Sequence, residues 1–196
     1  MGTPALRDFL GFRAKPPAEV IPVERIPGGL VRGAVTEICG PAGSGRTSLL
    51  IAALREITAR QEFCALVDSS DAFDPHSAAG AGVELERLLW VRCGGNAGHA
   101  LKAADLLLAG GGFGLVALDL ADLDPGALRR IPPASWYRLR RAIENTPTIL
   151  LVLDREPVAR PCASVALEMQ RQEAVWSDRL FQGMRFEAVC RKRKAG

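Results

Sequence analysis

The chain has 196 residues, of which 48% are hydrophobic and 24% charged, and its formal net charge at pH 7 is +3. This length suits one well-cored domain, and the composition excludes a mainly disordered chain. No apolar run approaches the roughly 18 residues that span a bilayer, and the first residues do not match a signal peptide. We therefore expect a cytoplasmic protein that has no membrane partner.

Cysteines, histidines and the distribution of charge narrow the chemistry further. The five cysteines are widely spaced without a Cys-x-x-Cys pair, which predicts free thiols in a reducing compartment. His76 and His99 are isolated from other candidate ligands, so a metal site or a Ser-His-Asp triad has little basis. Residues 121–196 carry 14 Lys+Arg against 9 Asp+Glu, whereas residues 1–120 carry 11 against 13, so the second part is the basic one.

The first 30 residues are predicted to form an extended arm. Five prolines, followed by Gly28 and Gly29, exclude a long helix beyond Leu10, although a short helix over residues 4–12 is compatible with the sequence. Such an arm either packs on its own domain or docks onto a neighbouring subunit. The predicted organisation is an arm over 1–30, a core domain over 31–190 and a basic tail over 191–196.

A strand, a glycine-rich loop and a helix are predicted over residues 34–60. Residues 34–39 favour a strand, and residues 47–60 carry apolar side chains at helical spacing. The loop between them follows the phosphate-binding pattern, except that Arg46 stands in the place of its lysine. Backbone N–H groups of such a loop surround an anion at the helix N-terminus, and the hydroxyl of Thr47 would bind magnesium. The phosphate-binding candidates are Gly40, Gly43, Ser44, Gly45, Arg46, Thr47 and Ser48.

Further apolar runs predict a sheet. Residues 63–68, 113–119 and 148–153 are typical of buried parallel strands, with a shorter strand over 88–91 and a helix over 99–109. Asp119 would lie at the carboxyl edge of this sheet, where it is a candidate magnesium partner beside a phosphate loop. Period-two alternation over 165–169 and 184–190 predicts antiparallel strands. The fold class is therefore α/β, with a mostly parallel central sheet flanked by helices and antiparallel C-terminal strands.

Two basic segments are candidates for contact with DNA or a protein partner. A helix over 136–144, capped by Ser135, combines aromatic and basic residues with the arginines just before it. The alternative is a solvated helix face with Trp136 buried. The end of the chain is the second basic segment, with simple solvation as its alternative. The contact candidates are Arg129, Arg130, Trp136, Arg138, Arg140, Arg141, Arg191, Lys192, Arg193 and Lys194.

These features together resemble the ATPase core of the RecA recombinases over residues 26–189. The similarity is clear in residues 35–48, and it is more specific in Cys-Ala-Leu-Val-Asp-Ser-Ser-Asp-Ala-Phe-Asp-Pro at residues 64–75. A dinucleotide-binding loop is disfavoured, because its Gly-x-Gly-x-x-Gly spacing is absent. Within the RecA-like group the chain is similar to ImuA, truncated RecA-like proteins that are accessories in bacterial damage-induced mutagenesis.

The resemblance implies that several nucleotide-site residues have been replaced. Arg46 takes the position of the phosphate-contacting lysine, and Ser70 that of the water-activating glutamate. Ser77 replaces the adenine-stacking tyrosine, and Arg155 the nucleotide-sensing glutamine. Loss of a general base alone forfeits about 10² to 10⁴ in rate.

Other residues of the family's site are kept. Thr47 and Asp119 match the metal side of the site, and Asp74 matches a residue that lies near the base in the family. Arg46 is expected to reach Asp119 or Asp68 and to hold an empty loop shut.

The resemblance implies a non-catalytic RecA-like accessory protein of SOS-induced translesion synthesis. Its expected partners are proteins of an error-prone polymerase complex, ImuB-like ones among them, with RecA and DNA as further candidates. No cofactor is required, and weakly bound ATP with Mg²⁺ is the alternative. The alternative function is an active ATP-dependent DNA-binding ATPase or filament former in DNA repair. A small-molecule kinase fits the loop but not residues 64–75.

Overall fold

The computed structural model describes residues 19–159 and 161–193, so the predicted helix over 4–12 and Lys194 lie outside the described residues. The strands are β1 Val20–Ile21, β2 Leu30–Val31, β3 Val35–Cys39, β4 Cys64–Asp68, β5 Leu88–Arg92, β6 Leu115–Asp119, β7 Ile149–Asp154, β8 Val165–Ser177 and β9 Leu180–Arg193. The helices are α1 Arg46–Ala59, α2 Pro75–Gly80, α3 Ala97–Gly110, α4 Pro125–Arg129 and α5 Pro133–Ile143. A 3₁₀ turn, Leu85–Arg87, precedes β5.

Seven strands form the central sheet in the order β5, β4, β6, β7, β3, β8, β9. Every neighbouring pair is parallel except β8 and β9, which form an antiparallel hairpin. The predicted fold class is thereby confirmed, with the refinement that β8 itself runs parallel to β3. Because β3 lies between β7 and β8, the carboxyl ends of these strands open next to the glycine-rich loop, where α/β sheets place their ligands.

Helices cover both faces of the sheet because each presents one apolar stripe. On the first face, α1 buries Leu50, Leu54 and Ile57 against the strands. On the second face, α3 and α5 bury Ala104 and Leu139. The central strands have buried side chains on both faces, as expected for parallel strands between two helical layers.

The described part of the predicted arm packs on its own domain. Strand β1 pairs with β2, and Ile21, Val23, Ile26 and Leu30 are buried in the same core as α1. Of the two alternatives for the arm, residues 19–30 therefore show packing on their own domain.

The β8/β9 hairpin extends beyond the rest of the sheet. Strand β8 pairs with β3 only from Val165 to Glu168, opposite the end of β3 at Cys39, and its remaining residues pair with β9 alone. The hairpin therefore passes the glycine-rich loop that follows β3. Arg191–Arg193, predicted as the start of a tail, lie within β9, where Arg193 pairs with Val165.

The start of α5 differs from the prediction. The helix begins at Pro133 with Pro132 at the N-cap, so Ser135 lies inside its first turn and is not its cap. Proline suits the first helical position because that position needs no N–H donor and favours the φ of the proline ring. Among the described residues, no helix has the length and apolar character needed to cross a membrane.

Candidate functional site

The glycine-rich loop leads from β3 directly into the N-terminus of α1. Gly43 and Gly45 have φ angles of 70° and 92°, a conformation that favours glycine. Gly45 is the N-cap of α1 and provides no side-chain acceptor for the first N–H groups of that helix. The geometry is that of an anion-binding loop at a helix N-terminus.

Arg46 is buried at the first position of α1, and its side chain is 8% exposed. Its Nη1 atom has no hydrogen-bond partner among the described residues, and none of their carboxylates lies within 4 Å of its nitrogens. The predicted ion pair of Arg46 with Asp119 or Asp68 is therefore absent. Its guanidinium does lie close enough to lower the pKa values of Asp119 and Asp154 by its charge, although other effects outweigh this contribution.

Asp68 cannot pair with Arg46 because other donors surround its carboxylate. Oδ1 accepts the backbone N–H groups of Ser70 and Ala72 at 3.2 and 3.3 Å. Oδ2 accepts the N–H of Phe73 at 3.0 Å and the indole Nε1–H of Trp90 at 3.1 Å. This carboxylate thus holds the loop after β4 in place and is not available to neutralise the charge of Arg46.

Two carboxyl groups lie at the carboxyl edge near Arg46, the half-buried Asp119 and the buried Asp154. Burial raises the pKa of Asp119 to about 6, although the N–H of Ala121 donates to its Oδ1. Burial also raises the pKa of Asp154 to about 7, and the charge of Glu37 adds to this rise. Sequence analysis did not identify Asp154 as a site residue. Its position at the end of the apolar strand β7 is the sequence feature that could have identified it. In the structure its carbonyl accepts the N–H of Gly40 at 3.2 Å.

No carboxylate stands at position 70, where the resemblance to the RecA recombinases places the water-activating glutamate. The hydroxyl of Ser70 lies 3.4 Å from that of Ser69. Asp71, the neighbouring acid, forms two hydrogen bonds with Arg92 at 2.8 and 2.9 Å, which lower its pKa. A carboxylate of lowered pKa is a weak base, so Asp71 is poorly suited to replace the glutamate.

Asp74 serves as the N-cap of α2. Its carboxylate accepts the backbone N–H groups of His76 and Ser77, each at 3.1 Å, and the hydroxyl of Ser77. The hydroxyl of Ser77 is the main cause that lowers the pKa of Asp74. Asp74 and Ser77, which the resemblance places on the adenine side, therefore bind each other in a helix-capping arrangement.

A small cavity brings the metal-side candidates together. Arg46, Thr47 and Asp119 line it with Phe73 and Leu153, and its volume is about 30 Å³. About 10–15 Å³ of such space suffices for one water molecule, so the cavity is far smaller than a nucleotide. The hairpin adds to the crowding, because a Cβ atom at Gly45 would lie 2.7 Å from the ring of Phe186.

The residues present do not fit a complete magnesium-nucleotide site. Ser44 Oγ and Arg46 Nη1 are buried and lack partners among the described residues, which suits a small anion. The cavity is far smaller than a nucleotide, and the positions that the resemblance assigns to the water-activating and adenine-stacking groups are occupied by Ser70 and Ser77. The loop thus keeps buried donors that suit a small anion.

The basic candidates differ in their partners. Arg138 pairs with Asp105 at 2.9 Å and Arg140 with Glu144 at 3.0 Å. Trp136 is 5% exposed and packs in the core on the face of the sheet that α3 and α5 cover, so its ring is not available to a partner. Among the candidates in α5 and just before it, the exposed arginines that form no ion pair with other described residues are Arg129, Arg130 and Arg141.

The candidates in β9 are largely engaged within the chain. Arg191 pairs with Glu168 at 2.8 Å, and Arg193 donates to the carbonyl of Gly28 at 3.2 Å. The basic segment at the end of the chain is therefore bound to the edge of the sheet as far as Arg193.

The fold and the loop define a phosphate-loop α/β protein, and comparison with known proteins gives its family. Residues 22–128 match the model of the RecA N-terminal domain, which is more than half of the chain. The chain belongs to this family, and the predicted RecA-like resemblance is confirmed.

Curated relatives agree with this assignment. The chain is 36% identical over 126 residues to Protein RecA of Kineococcus radiotolerans, covering 60% of this chain and 36% of the relative. It is 28% identical over 167 residues to Protein RecA of Leifsonia xyli, covering 74% of this chain and 46% of the relative. It is 39% identical over 101 residues to Protein RecA of Cutibacterium acnes, covering 51% of this chain and 29% of the relative. The chain spans less than half the length of each of these relatives.

Proposed function

We propose that this chain is a non-hydrolysing RecA-like accessory protein of bacterial DNA-damage-induced mutagenesis, of the ImuA type. It bridges an error-prone polymerase complex in SOS-induced translesion synthesis. The observation that carries the proposal is Arg46, buried under the phosphate loop beside two acids of raised pKa. An arginine in place of the lysine keeps the charge but replaces a compact ammonium by a planar fork on a longer stem.

The chemistry around Arg46 supports loss of hydrolysis. Ser70 offers no base to an attacking water, and general-base assistance contributes about 10² to 10⁴ in rate. Several deficits in one site oppose turnover more strongly than any single replacement.

The partners that we propose are proteins of the polymerase complex, ImuB-like ones among them. RecA and DNA are further candidates, and the cytoplasm is the proposed compartment. Three exposed arginines at and just before α5 form no ion pair with other described residues, and they support contact with an acidic surface: Arg129, Arg130 and Arg141.

The alternative is an active RecA-type DNA-binding ATPase or filament former in DNA repair. Two observations favour it. Ser44 and Arg46 have buried donor atoms without partners among the described residues, and Thr47 and Asp119 line the same cavity. In that case a neighbouring subunit supplies the base that Ser70 lacks.

Steady-state ATP turnover tests the two functions. We expect turnover at background level for the wild-type chain and for Arg46→Lys, because Ser70 is unchanged in both. Calorimetric titration with ATP and Mg²⁺ on the same samples separates absence of binding from absence of hydrolysis. Robust wild-type turnover that disappears in Asp119→Ala and Thr47→Ala would refute the non-hydrolysing function.

Reconstitution with the polymerase complex tests the bridging role. We expect the wild-type chain, Thr47→Ala and Asp119→Ala to co-purify equally with an ImuB-like polymerase-complex protein, without added nucleotide. A requirement for ATP in this assembly, or failure of the wild-type chain to assemble, would contradict the proposal.

A further inference from the structure

We propose that the cleft between α5 and the segment after β7 binds an extended acidic peptide of a partner protein, with one apolar side chain anchored in the cleft. The proposal deepens the proposed function, on which it rests for the partner's role, by assigning the surface that receives the partner. It concerns a different part of the molecule from the phosphate loop.

The cleft is apolar and of a size that suits a side chain. Its volume is about 200 Å³, below the roughly 300 Å³ at which small-molecule sites begin. Leu128 and Trp136 are buried below it, and Pro133, Pro157 and Pro161 line it. Clefts of this kind receive the buried anchor residues that dominate protein interfaces.

The wall of the cleft is held in place by a buried carboxylate. Glu37 lies in β3 and is 0% exposed, and its Oε1 accepts the N–H groups of Val158 and Ala159 at 2.7 and 2.5 Å. The N–H of Cys162 donates to the carbonyl of Ala159 at 2.8 Å. A wall that is formed before binding lowers the entropy cost of receiving a peptide.

Charge at the rim selects an acidic peptide. Arg129 lines the cleft and Arg130 follows it, and both are exposed without an ion pair among the described residues. The acids on the same side are mostly engaged, because Asp122 pairs with Arg155 at 2.9 Å and Asp124 accepts the N–H of Ala127 at 2.8 Å. Glu156 is exposed and is the acid that opposes this selection.

The same surface suits nucleic acid poorly. Binding of single strands relies on a series of exposed aromatic faces on which successive bases stack, whereas Trp136 is 5% exposed and leaves a single exposed ring. The three prolines have no N–H to donate to phosphate oxygens. Tyr137, which is 52% exposed, is the one aromatic ring of the described cleft that a ligand can cover from solvent.

Selection from a random dodecapeptide library displayed on phage tests the proposal with the full chain as target. We expect enrichment of peptides that have one aromatic or aliphatic residue flanked by acids. The enriched peptides, made synthetically with a fluorophore, are then titrated by anisotropy against variants. Val158→Asp, which places a carboxylate in the wall, should weaken binding at least tenfold, and so should the double variant Arg129→Glu with Arg130→Glu.

A matched control changes the same charge elsewhere. Arg171→Glu with Arg179→Glu lies on the β8/β9 hairpin and should leave peptide affinity unchanged. Circular dichroism checks that each variant folds, and because Arg129 and Arg130 are exposed, their variant remains informative if Val158→Asp fails to fold. No enrichment, enrichment of basic peptides, or affinity that neither variant lowers would overturn the proposal.

Two further measurements separate the remaining outcomes. If a labelled 15-nucleotide oligo-dT binds more tightly than the selected peptides and displaces them, the surface belongs to nucleic acid and the proposal is overturned. If Val158→Asp abolishes peptide binding while the polymerase complex still assembles, the assignment of this surface to that partner fails and the bridging function stands. Selected peptides that bind as expected, with no assembly by the wild-type chain, would leave the cleft supported and the bridging function refuted.

Discussion

At the scale of single residues, the site is governed by three ionisable side chains at the carboxyl edge of the sheet. Arg46 has no ion pair there, while Asp119 and Asp154 lie near enough for its charge to affect their pKa values. For both acids burial outweighs that favourable effect, so the pKa of each is raised. The folded state therefore holds protons that the unfolded chain releases at lower pH.

Asp154 should make stability depend on pH. Its pKa is raised from 3.8 to about 7 in the folded state, so its contribution to stability is complete below about pH 4 and is lost as the pH rises through about 7. We expect Asp154→Asn to melt above the wild type at pH 8, by on the order of 1–3 kcal/mol or roughly 2–8 °C. Calorimetric melting from pH 5 to 8 measures this difference.

The difference between Asp154→Asn and the wild type should shrink towards pH 5, where the wild-type carboxyl is protonated. Asp178→Asn, on the exposed turn of the hairpin, is the control. A constant difference across this pH range would contradict the assignment of the raised pKa to Asp154.

Glu37 is the residue on which the cleft wall depends. Replacing it with alanine leaves two backbone N–H groups without their buried acceptor. We expect Glu37→Ala to lower the free energy of unfolding by on the order of 3 kcal/mol, since each buried donor left unpaired costs about 1–3 kcal/mol. Urea denaturation measures this free energy. Glu37→Gln keeps an acceptor oxygen, so its free energy of unfolding should fall clearly less than that of Glu37→Ala. Equal losses for the two variants would refute the role of Oε1.

At the scale of elements, the β8/β9 hairpin lies against the phosphate loop. Phe186 packs on Gly45, and Met169 lies close to Gly40, where an added Cβ would meet its carbonyl oxygen at 2.8 Å. The strand that forms the edge of the sheet thus also restricts the loop. Access of an anion from that side depends on how the hairpin packs.

Paired glycine substitutions test this packing. Gly45→Ala should destabilise the chain by more than Gly43→Ala, because both have positive φ but only Gly45 faces the ring of Phe186. Backbone strain of this kind costs on the order of 1–3 kcal/mol. In a Phe186→Ala background, chemical denaturation should show that Gly45→Ala and Gly43→Ala lower the free energy of unfolding equally. A difference that persists without the ring would show that the hairpin does not restrict the loop.

At the scale of the whole molecule, ion pairing divides the basic surface into engaged and available charges. Arg138 and Arg140 are offset by Asp105 and Glu144, whereas Arg129, Arg130 and Arg141 have no such partners among the described residues. Exposed ion pairs contribute little to stability, but they reduce the net charge presented to a partner. Arg129, Arg130 and Arg141 therefore present uncompensated positive charge to an acidic partner at α5 and just before it.

Charge reversal should separate these two groups in binding to the polymerase complex. We expect the triple reversal of Arg129, Arg130 and Arg141 to glutamate to weaken association about tenfold or more at 0.1 M salt. Reversal of Arg138 and Arg140 should have a smaller effect, because their charges are already offset. The difference should narrow at 0.5 M salt, where exposed charges are screened. Equal effects of the two variants in surface plasmon resonance would contradict a specific acidic contact.

By itself, the sequence determined the α/β order of elements, the phosphate loop with its arginine, the strand ending at Asp119 and the hairpin strands. These features are encoded locally, by the periodicity of apolar residues and by glycine and proline chemistry. Only the tertiary structure decided that Arg46 is buried without an ion pair, that Asp154 joins the site, that Phe186 lies against the loop and which arginines are paired. Each of these depends on contacts between elements that are distant along the chain, and burial and charge pairing follow from how those elements meet.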